Sequence, residues 1–354
     1  MATSPAPKVA LSVTDNRHLT KRDLLSPYQS GLPTVFHRIA RRGVNWELPR
    51  NFRRYKASAE HEMSIGGAAT KCFLSIDGAR EGAYIAKFAH KNGEIETYTE
   101  LLNNQFGKAL GFDMAHSGVA TLDGVLHFLS RSFLKSGEQL IHGSLMVEQL
   151  GLAKRDEIEK IRTVHQQQGI YDIDFVTMVF GEFCGSAFDS VFSKFIEMLV
   201  FDALIGSMDR HPRNWGVIRT ATKSVSFTFA PIYDSARALL WDVNDDKIRL
   251  FLENESELER YIGRSSPRIG LPAMVQGDRR CNHFQLLEYV CLKHKDLVFN
   301  AIERISPSVV GVVRGLLHKW PFKNIFKIPR KQAIIKLIEI RYGRLKAIAA
   351  KGGA

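Results

Sequence analysis

Hydrophobic and polar positions follow two different patterns along the chain of 354 residues. Between about residues 63 and 131, short apolar runs bounded by small residues predict an antiparallel meander of strands, one of which ends at Lys87. One helix is predicted inside this region, at residues 94–110. After about residue 136 the pattern becomes mainly helical, and residues 189–207 are apolar on most faces, which predicts a buried helix. This order predicts an α+β protein with two lobes and a cleft between them.

The same patterns divide the chain into three predicted parts. Residues 1–60 show weak periodicity and a basic cluster, which predicts an irregular arm with one short helix. Residues 61–135 form a small β-rich N-lobe, and residues 136–354 form a larger helical C-lobe. The C-lobe is predicted to end in a basic amphipathic helix at residues 330–348. Two alternatives stay open for that helix: it docks on its own core, or its basic face binds nucleic acid.

Composition places the chain among globular proteins. It is 45% hydrophobic and 24% charged, and no apolar run approaches the roughly 18 residues that cross a bilayer. The N-terminal residues lack the charged and apolar regions of a secretion signal. Cys72, Cys184, Cys281 and Cys291 are scattered, with no C-x-x-C pair. We therefore expect a cytoplasmic protein without a structural zinc site or a membrane partner.

The net charge of +12 is concentrated at the two ends of the chain. Residues 1–60 carry a net charge of +7 and residues 314–354 carry +10, which leaves about −5 on the segment between them. Basic ends can attract nucleic acid or an acidic partner protein, and salt would then weaken the binding steeply.

Three polar side chains carry the candidate chemistry. Asp209 and Asn214 lie five positions apart in the polar loop MDRHPRNWGVI, and Asp234 is predicted to end the strand FTFAPIYD. Phosphoryl transfer needs a carboxylate that orients the attacking hydroxyl, together with carboxylate and amide oxygens that hold Mg²⁺ against the phosphates. An Asp or an Asn alone in a loop usually forms a turn. Their combined spacing nevertheless predicts a magnesium-dependent phosphotransferase.

Two further features lie upstream in the predicted N-lobe. Lys87 ends an apolar strand, where a cation could meet the α- and β-phosphates of a nucleotide, and Glu100 on the next helix could fix its position. The small-residue segment 64–71 could bring backbone N–H groups close to phosphate. An ordinary hairpin turn would have a similar sequence, so this last feature is weak by itself.

Taken in order, these motifs resemble the HipA-like serine/threonine kinases, the toxin-type kinases of toxin–antitoxin systems. SIGGAATK is similar to the nucleotide loop, YIAKF to the ATP-binding strand, ETYTELLNNQFGKALGF to the helix with the glutamate, and LSRSF to the R-F strand. The most specific match is FDALIGSMDRHPRNWGVI followed by APIYD, which resembles the catalytic and magnesium loops. The resemblance runs through most of residues 63–240, fades after about residue 250, and does not include residues 1–60.

The resemblance implies a bilobal protein-kinase-like fold, with ATP and Mg²⁺ as cofactors and a protein Ser or Thr as acceptor. It also implies a small DNA-binding antitoxin as a partner. It assigns the catalytic base to Asp209 and the two magnesium ligands to Asn214 and Asp234. The lysine on the ATP phosphates would be Lys87, with Glu100 as its acidic partner. Arg210 and His211 would brace the loop. The nucleotide-loop residues would be Ser64, Gly66, Gly67, Ala68 and Lys71, with Ser64 also the implied site of autophosphorylation.

The chain departs from the family pattern in three places. Ala69 stands where the family usually has Gln, and Ser207 where Asn or another small polar residue often precedes the catalytic Asp. The usual long N-terminal subdomain is replaced by a segment of about sixty residues with a net positive charge. Two other functions remain open: a lipid or small-molecule kinase of the same fold, and a catalytically weak kinase-fold protein that acts by binding nucleic acid or a partner.

Overall fold

The structure is a computed structural model that describes residues 55–58, 71–76, 84–88, 93–122, 125–153, 171–221, 225–272 and 280–353. The strands in these ranges are β1 Tyr55–Ser58, β2 Lys71–Ile76, β3 Tyr84–Phe88, β4 Ser117–Leu122, β5 Val125–Arg131, β6 Glu138–His142, β7 Tyr171–Asp172, β8 Gly216–Ala221, β9 Val225–Phe229 and β10 Ile269–Gly270. The α-helices are α1 Gly93–Ala109, α2 Gly143–Ala153, α3 Ile173–Cys184, α4 Phe188–Ile205, α5 Asp245–Glu253, α6 Glu255–Arg264, α7 His283–Glu303, α8 Val309–Leu317, α9 Phe322–Ile325 and α10 Ile328–Gly353. No helix within these ranges combines the length and apolar character that crossing a membrane requires.

The first sheet is antiparallel, with the strand order β1-β2-β3-β5-β4. Alternation on the central strand β3 buries Tyr84 and Ala86 on one face and turns Lys87 to the other. The strand therefore presents its lysine to the cleft. Tyr55–Ser58, which the sequence assigns to the irregular arm, instead form the edge strand paired with β2. Four residues carry too little pattern to predict a strand whose partner lies some twenty residues later.

Helix α1 packs against this sheet with Leu102 and Phe106 fully buried. The predicted range of 94–110 is confirmed within one residue. Glu94 and Glu96 lie in the first turn, where the positive end of the helix dipole favours acids. Gly111 follows with φ +83°, a left-handed conformation that costs glycine little and ends the helix.

Helix α4 is the centre of the C-lobe. Thirteen of its 18 residues are buried, which confirms the buried helix predicted from its apolar faces. It packs against α7, α10 and α3. The helix ends at Ile205 because Gly206 takes a left-handed φ of +71°, and the polar loop with Asp209 begins there.

A second sheet lies in the C-lobe, and its strand β6 falls where the sequence pattern predicts helix. Strand β6 pairs with β8, which pairs with β9, all antiparallel. The strand predicted to end at Asp234 is present but shorter, because β9 ends at Phe229. Beyond it Pro231 has no N–H to donate to a ladder, and Ile232 makes only an isolated bridge with Met114.

The C-terminal helix α10 buries its apolar face in the protein's own core. The buried side chains are Ala333, Ile334, Leu337, Ile338, Leu345, Ile348 and Ala349. Docking on the core, one of the two alternatives predicted for this segment, is therefore what the structure shows.

The basic face of α10 meets acidic residues from the rest of the C-lobe. The ion pairs are Lys336–Glu255, Arg344–Glu259, Lys346–Glu303 and Lys351–Glu288. Each exposed pair adds little stability, on the order of 0.2–1 kcal/mol. Together these pairs neutralise part of the positive charge of the C-terminal segment, because its lysines and an arginine meet glutamates of the mildly acidic segment that precedes it.

Candidate active site

Lys87 lies between two carboxylates in the cleft. Its Nζ is 2.8 Å from Glu100 Oε1 on α1 and 2.9 Å from Asp234 Oδ1. Burial alone would lower the pKa of Lys87, but the charges of Asp234 and Glu100 more than offset it and raise that pKa above its ordinary value. Lys87 is therefore a fixed cation at neutral pH. The lysine lies on the strand, and Glu100 on the helix, that the sequence predicts.

Asp234 is held by backbone conformation and by helix α1. It has φ +58°, a left-handed value that is uncommon for residues other than glycine. The carbonyl of the next residue, Ser235, accepts a hydrogen bond of 2.6 Å from Asn103 Nδ2, and Asn103 is fully buried. Helix α1 thus fixes both Lys87, through Glu100, and the loop that carries Asp234.

Arg210 is a fully buried hub beneath the polar loop. It forms a two-point ion pair with Asp202 of α4, with Nε and Nη2 at 2.7 and 2.8 Å from the carboxylate oxygens. Its Nη1 donates to the carbonyl oxygens of Asn214 and Tyr233, and Nη2 also donates to Ser235 Oγ. One guanidinium therefore ties the loop of Asp209 and Asn214 to the segment of Asp234.

Asp209 and Asn214 face each other across the loop. The Asn214 side-chain nitrogen donates to the backbone carbonyl of Asp209 at 2.8 Å, so its amide oxygen is the atom available to a metal. The Asp209 carboxylate is 19% exposed and meets two arginines, Arg237 at 3.0 Å and Arg268 at 3.8 Å. Sequence reasoning missed both arginines, because neither belongs to a recognisable motif.

His211 completes the turn of the loop. Its backbone N–H donates to the Asp209 carbonyl at 2.8 Å, and its Nδ1 accepts from the Arg213 N–H at 3.2 Å. Burial lowers the pKa of His211, although the charges of Asp209 and Asp234 oppose that shift. The ring is thus neutral at pH 7 and makes contacts within the loop, which suits a bracing role.

A second buried cluster holds the residues just before Asp209, and no motif in the sequence indicates it. His283 Nε2 is 2.7 Å from the Ser207 carbonyl, and Arg341 Nη2 is 3.2 Å from His283 Nδ1. A neutral ring that donates from Nε2 and accepts at Nδ1 satisfies the contacts with Ser207 and Arg341. Nδ1 is also 3.0 Å from the Ser265 carbonyl, which the other tautomer would satisfy. Arg341, fully buried, also donates to the Ala203 carbonyl, and a Cβ at Gly206 would lie 3.1 Å from its Cζ.

This cluster predicts a pH-dependent stability. Burial, with Arg341 adding to it, lowers the pKa of His283 to about 3, below the value near 6.5 of an unfolded histidine. The unfolded chain therefore binds more protons between pH 6.5 and 3, and stability falls as pH drops through that window, by up to about 1.4 kcal/mol per pH unit from this residue. We expect His283→Gln, which keeps a donor for Ser207, to flatten the decline in denaturant titrations from pH 7 to 4. Parallel curves for the two proteins would contradict the prediction.

The predicted nucleotide loop is only partly described. Ser64, Gly66, Gly67 and Ala68 lie outside the described residues. Lys71 begins β2, and its backbone is paired directly opposite Lys87.

The contacts described above bring the other predicted site residues together. They are Lys87, Glu100, Asp209, Asn214 and Asp234, with Arg210 and His211 in the same loop as Asp209 and Asn214.

A β-rich lobe with a Lys–Glu pair, set against a helical lobe with the D-x-x-x-x-N loop, is the arrangement of a protein-kinase-like fold. The crystal structure of a Helicobacter pylori proinflammatory kinase, CtkA, superposes with a TM-score of 0.64 at 18% identity, over 80% of this chain and 94% of that one. The model of the HipA-like C-terminal domain matches residues 63–290. The chain belongs to this family of HipA-like kinases.

Two further similarities complete the comparison. The serine/threonine-protein kinase CtkA of Helicobacter pylori is 30% identical over 131 residues, which are 37% of this chain and 38% of that protein. The match thus spans well under half of that relative's length. HipA of Shewanella oneidensis MR-1, in a complex with HipB and operator DNA, superposes with a TM-score of 0.47 at 14% identity, over 91% of this chain and 74% of that one.

Proposed function

We propose that this protein is an ATP- and Mg²⁺-dependent serine/threonine protein kinase of the HipA-like type. The observation that carries the proposal is the convergence on Asp234: Lys87 contacts it directly, and Arg210 ties the segment around it to the loop of Asp209 and Asn214. The groups that phosphoryl transfer requires are thereby gathered from three separate parts of the chain. The relative CtkA, named a serine/threonine-protein kinase, supports the choice of acceptor.

Each residue has a role that follows from its chemistry. Lys87 would bind the α- and β-phosphates, with Glu100 holding it in place. Asp209 would orient the acceptor hydroxyl and receive its proton. Asn214 and Asp234 would hold Mg²⁺, which supplies positive charge against the β- and γ-phosphates.

The residues present fit ATP and Mg²⁺. Magnesium prefers oxygen ligands and keeps much of its shell as water and phosphate, so one carboxylate and one amide oxygen suffice. Within the described ranges no group of three or more His, Cys, Asp or Glu side chains gathers as a metal site. Such a group is not needed here, because phosphate oxygens would supply further ligands. The Lys87 ammonium, charged at neutral pH, matches the nucleotide's negative charge.

Regulation and partners are part of the proposal. Ser64 would be the autophosphorylated residue of the nucleotide loop, and an antitoxin protein would be the neutralising partner. HipA of Shewanella oneidensis, in its complex with HipB and operator DNA, is the similar protein that motivates the second point. Such a kinase would act in the cytoplasm, where ATP is available. A lipid or small-molecule acceptor is the outcome that an acceptor panel would have to exclude.

Magnesium dependence tests the proposal at a single residue. We expect Asp234→Asn to lower phosphate transfer from labelled ATP by about 10²-fold or more, because the metal loses its charged ligand and Lys87 loses one of its two carboxylates. The measurement is the initial rate against Mg²⁺ concentration, with protein, lipid and small-molecule acceptors in parallel. The matched control is Asp246→Asn, whose carboxylate is 88% exposed. Equal Mg²⁺ curves for Asp234→Asn and the control would contradict the assignment.

A further inference from the structure

Phosphoryl transfer places negative charge on the oxygens of the moving group, and enzymes commonly set a lysine or arginine against it. The arginine next to the candidate base cannot do this here. Arg210 is fully buried, and its donors are committed to Asp202, to two backbone carbonyls and to Ser235. A side-chain cation that joins the metal in serving the transferred group beside Asp209 would therefore be a residue other than Arg210.

Arg237 lies beside the candidate base, Asp209. Its Nη1 is 3.0 Å from Asp209 Oδ2, and its side chain is 24% exposed, so part of the side chain is accessible to a ligand. The guanidinium carbon lies 5.4 Å from the ring centroid of Trp241, which covers one side. The Arg237 carbonyl accepts a 3.0 Å hydrogen bond from the backbone N–H of Met208, the residue before Asp209. Backbone and side chain together fix this arginine beside the base.

Arg268 provides the comparison within the same site. Its Nε is 3.8 Å from Asp209 Oδ1, and its side chain is 48% exposed. Both arginines lie within ion-pair distance of the Asp209 carboxylate. Arg237 is the closer and less exposed of the two, which distinguishes a fixed group from a surface one.

We infer that Arg237 is a catalytic residue that contacts the transferring phosphoryl group next to Asp209. The inference rests on the proposed kinase function. In the step, the acceptor oxygen forms a bond to the γ-phosphorus while the bond from that phosphorus to the β,γ-bridging oxygen breaks. ADP leaves with the electron pair of the broken bond, and the hydroxyl proton passes to Asp209. Arg237 stabilises the charge on the phosphoryl oxygens during this exchange.

The test compares Arg237→Gln and Arg237→Lys with a surface control, Arg249→Gln, in two assays. The Arg249 side chain is 65% exposed and pairs with Asp246 outside the site. The first is steady-state phosphate transfer. We expect Arg237→Gln to lower kcat by about 10²- to 10³-fold, as loss of one transition-state donor does. The KM for ATP should change little, since Lys87 holds the other phosphates. Arg237→Lys, which keeps the charge, should retain more of the rate, and Arg249→Gln should stay within about threefold of wild type.

The second assay is calorimetric binding of Mg²⁺–ADP, alone and with aluminium fluoride, which imitates the transferring group. Arg237→Gln should bind ADP as wild type does and bind the fluoride complex about 10²-fold more weakly. Unchanged affinity for that complex would overturn the inference, as would equal losses in the Gln and Lys variants or in Arg249→Gln. If wild-type protein neither transfers phosphate nor binds Mg²⁺–ATP, the proposed function itself fails. Transfer that is insensitive to Arg237 rejects this inference alone.

Discussion

Asp209→Asn is expected to lower phosphate transfer by about 10²- to 10⁴-fold, the range that general-base catalysis contributes. Asparagine has nearly the same shape and can still accept a hydrogen bond from Arg237, but it cannot take the acceptor proton. The backbone carbonyl that Asn214 Nδ2 contacts is also retained. The loss should therefore fall on kcat and leave the affinity for Mg²⁺–ATP near that of wild type.

The measurement for Asp209→Asn combines initial rates with labelled ATP and equilibrium nucleotide binding. Asp246→Asn is the matched control, because it is the same chemical change at an exposed site. A variant that keeps its rate within threefold of wild type would show that another group takes the proton. A variant that loses nucleotide binding as strongly as rate would place Asp209 in the binding of ATP instead.

The second large effect is on stability. Asp202→Asn should lower the free energy of unfolding by about 3–5 kcal/mol, because it leaves the buried guanidinium of Arg210 without its counter-charge. Asp202 is 1% exposed and Arg210 is fully buried, so water cannot replace the lost carboxylate. The loop of Asn214 and the segment of Ser235, both held by Arg210, should loosen with it.

Denaturant titration of Asp202→Asn measures this loss, with Asp246→Asn as the surface comparison. Asp246 pairs with Arg249 at an exposed position, and removal of such a pair should cost no more than about 1 kcal/mol. Equal, small losses in both variants would show that Arg210 is compensated by its carbonyl partners rather than by Asp202.

Elements with strong local patterns were predictable from sequence. Helix α4 was predicted because its apolar residues cover most faces, and α1 because Leu102 and Phe106 recur at helical spacing with Gly111 after them. The strand that places Lys87 was predicted from its apolar run between small-residue turns. The pattern that predicts each of these elements is contained within about twenty residues of sequence.

Features that depend on distant partners were not predictable. Strand β6 was missed because it is stabilised by pairing with β8, about eighty residues later. The strand before Asp234 is shorter than its apolar run predicts: β9 ends at Phe229, and the isolated bridge at Ile232 is evident only in the fold. Arg341 is one of the basic residues of the C-terminal segment, which the sequence pattern alone would place on an exposed face. In the structure it lies fully buried beneath the loop of Asp209.

The candidate site divides in the same way. Spacing and the family resemblance supplied Asp209, Asn214 and Asp234, because catalytic motifs keep a fixed order along the chain. The residues that hold them, among them Asp202 and Asn103, are ordinary helix positions until the contacts are known. Local sequence therefore identifies the residues that carry the chemistry more readily than it identifies the residues that position them.

One measurement tests the central claim most directly: Mg²⁺-dependent transfer of the γ-phosphate of labelled ATP by the wild-type protein to protein hydroxyls, with phosphosites identified by mass spectrometry. We predict phosphoserine or phosphothreonine on a protein acceptor, formed only with Mg²⁺ and absent with Asp209→Asn. No transfer to any protein, lipid or small-molecule acceptor by folded wild-type protein, or transfer that persists in Asp209→Asn, would contradict the account.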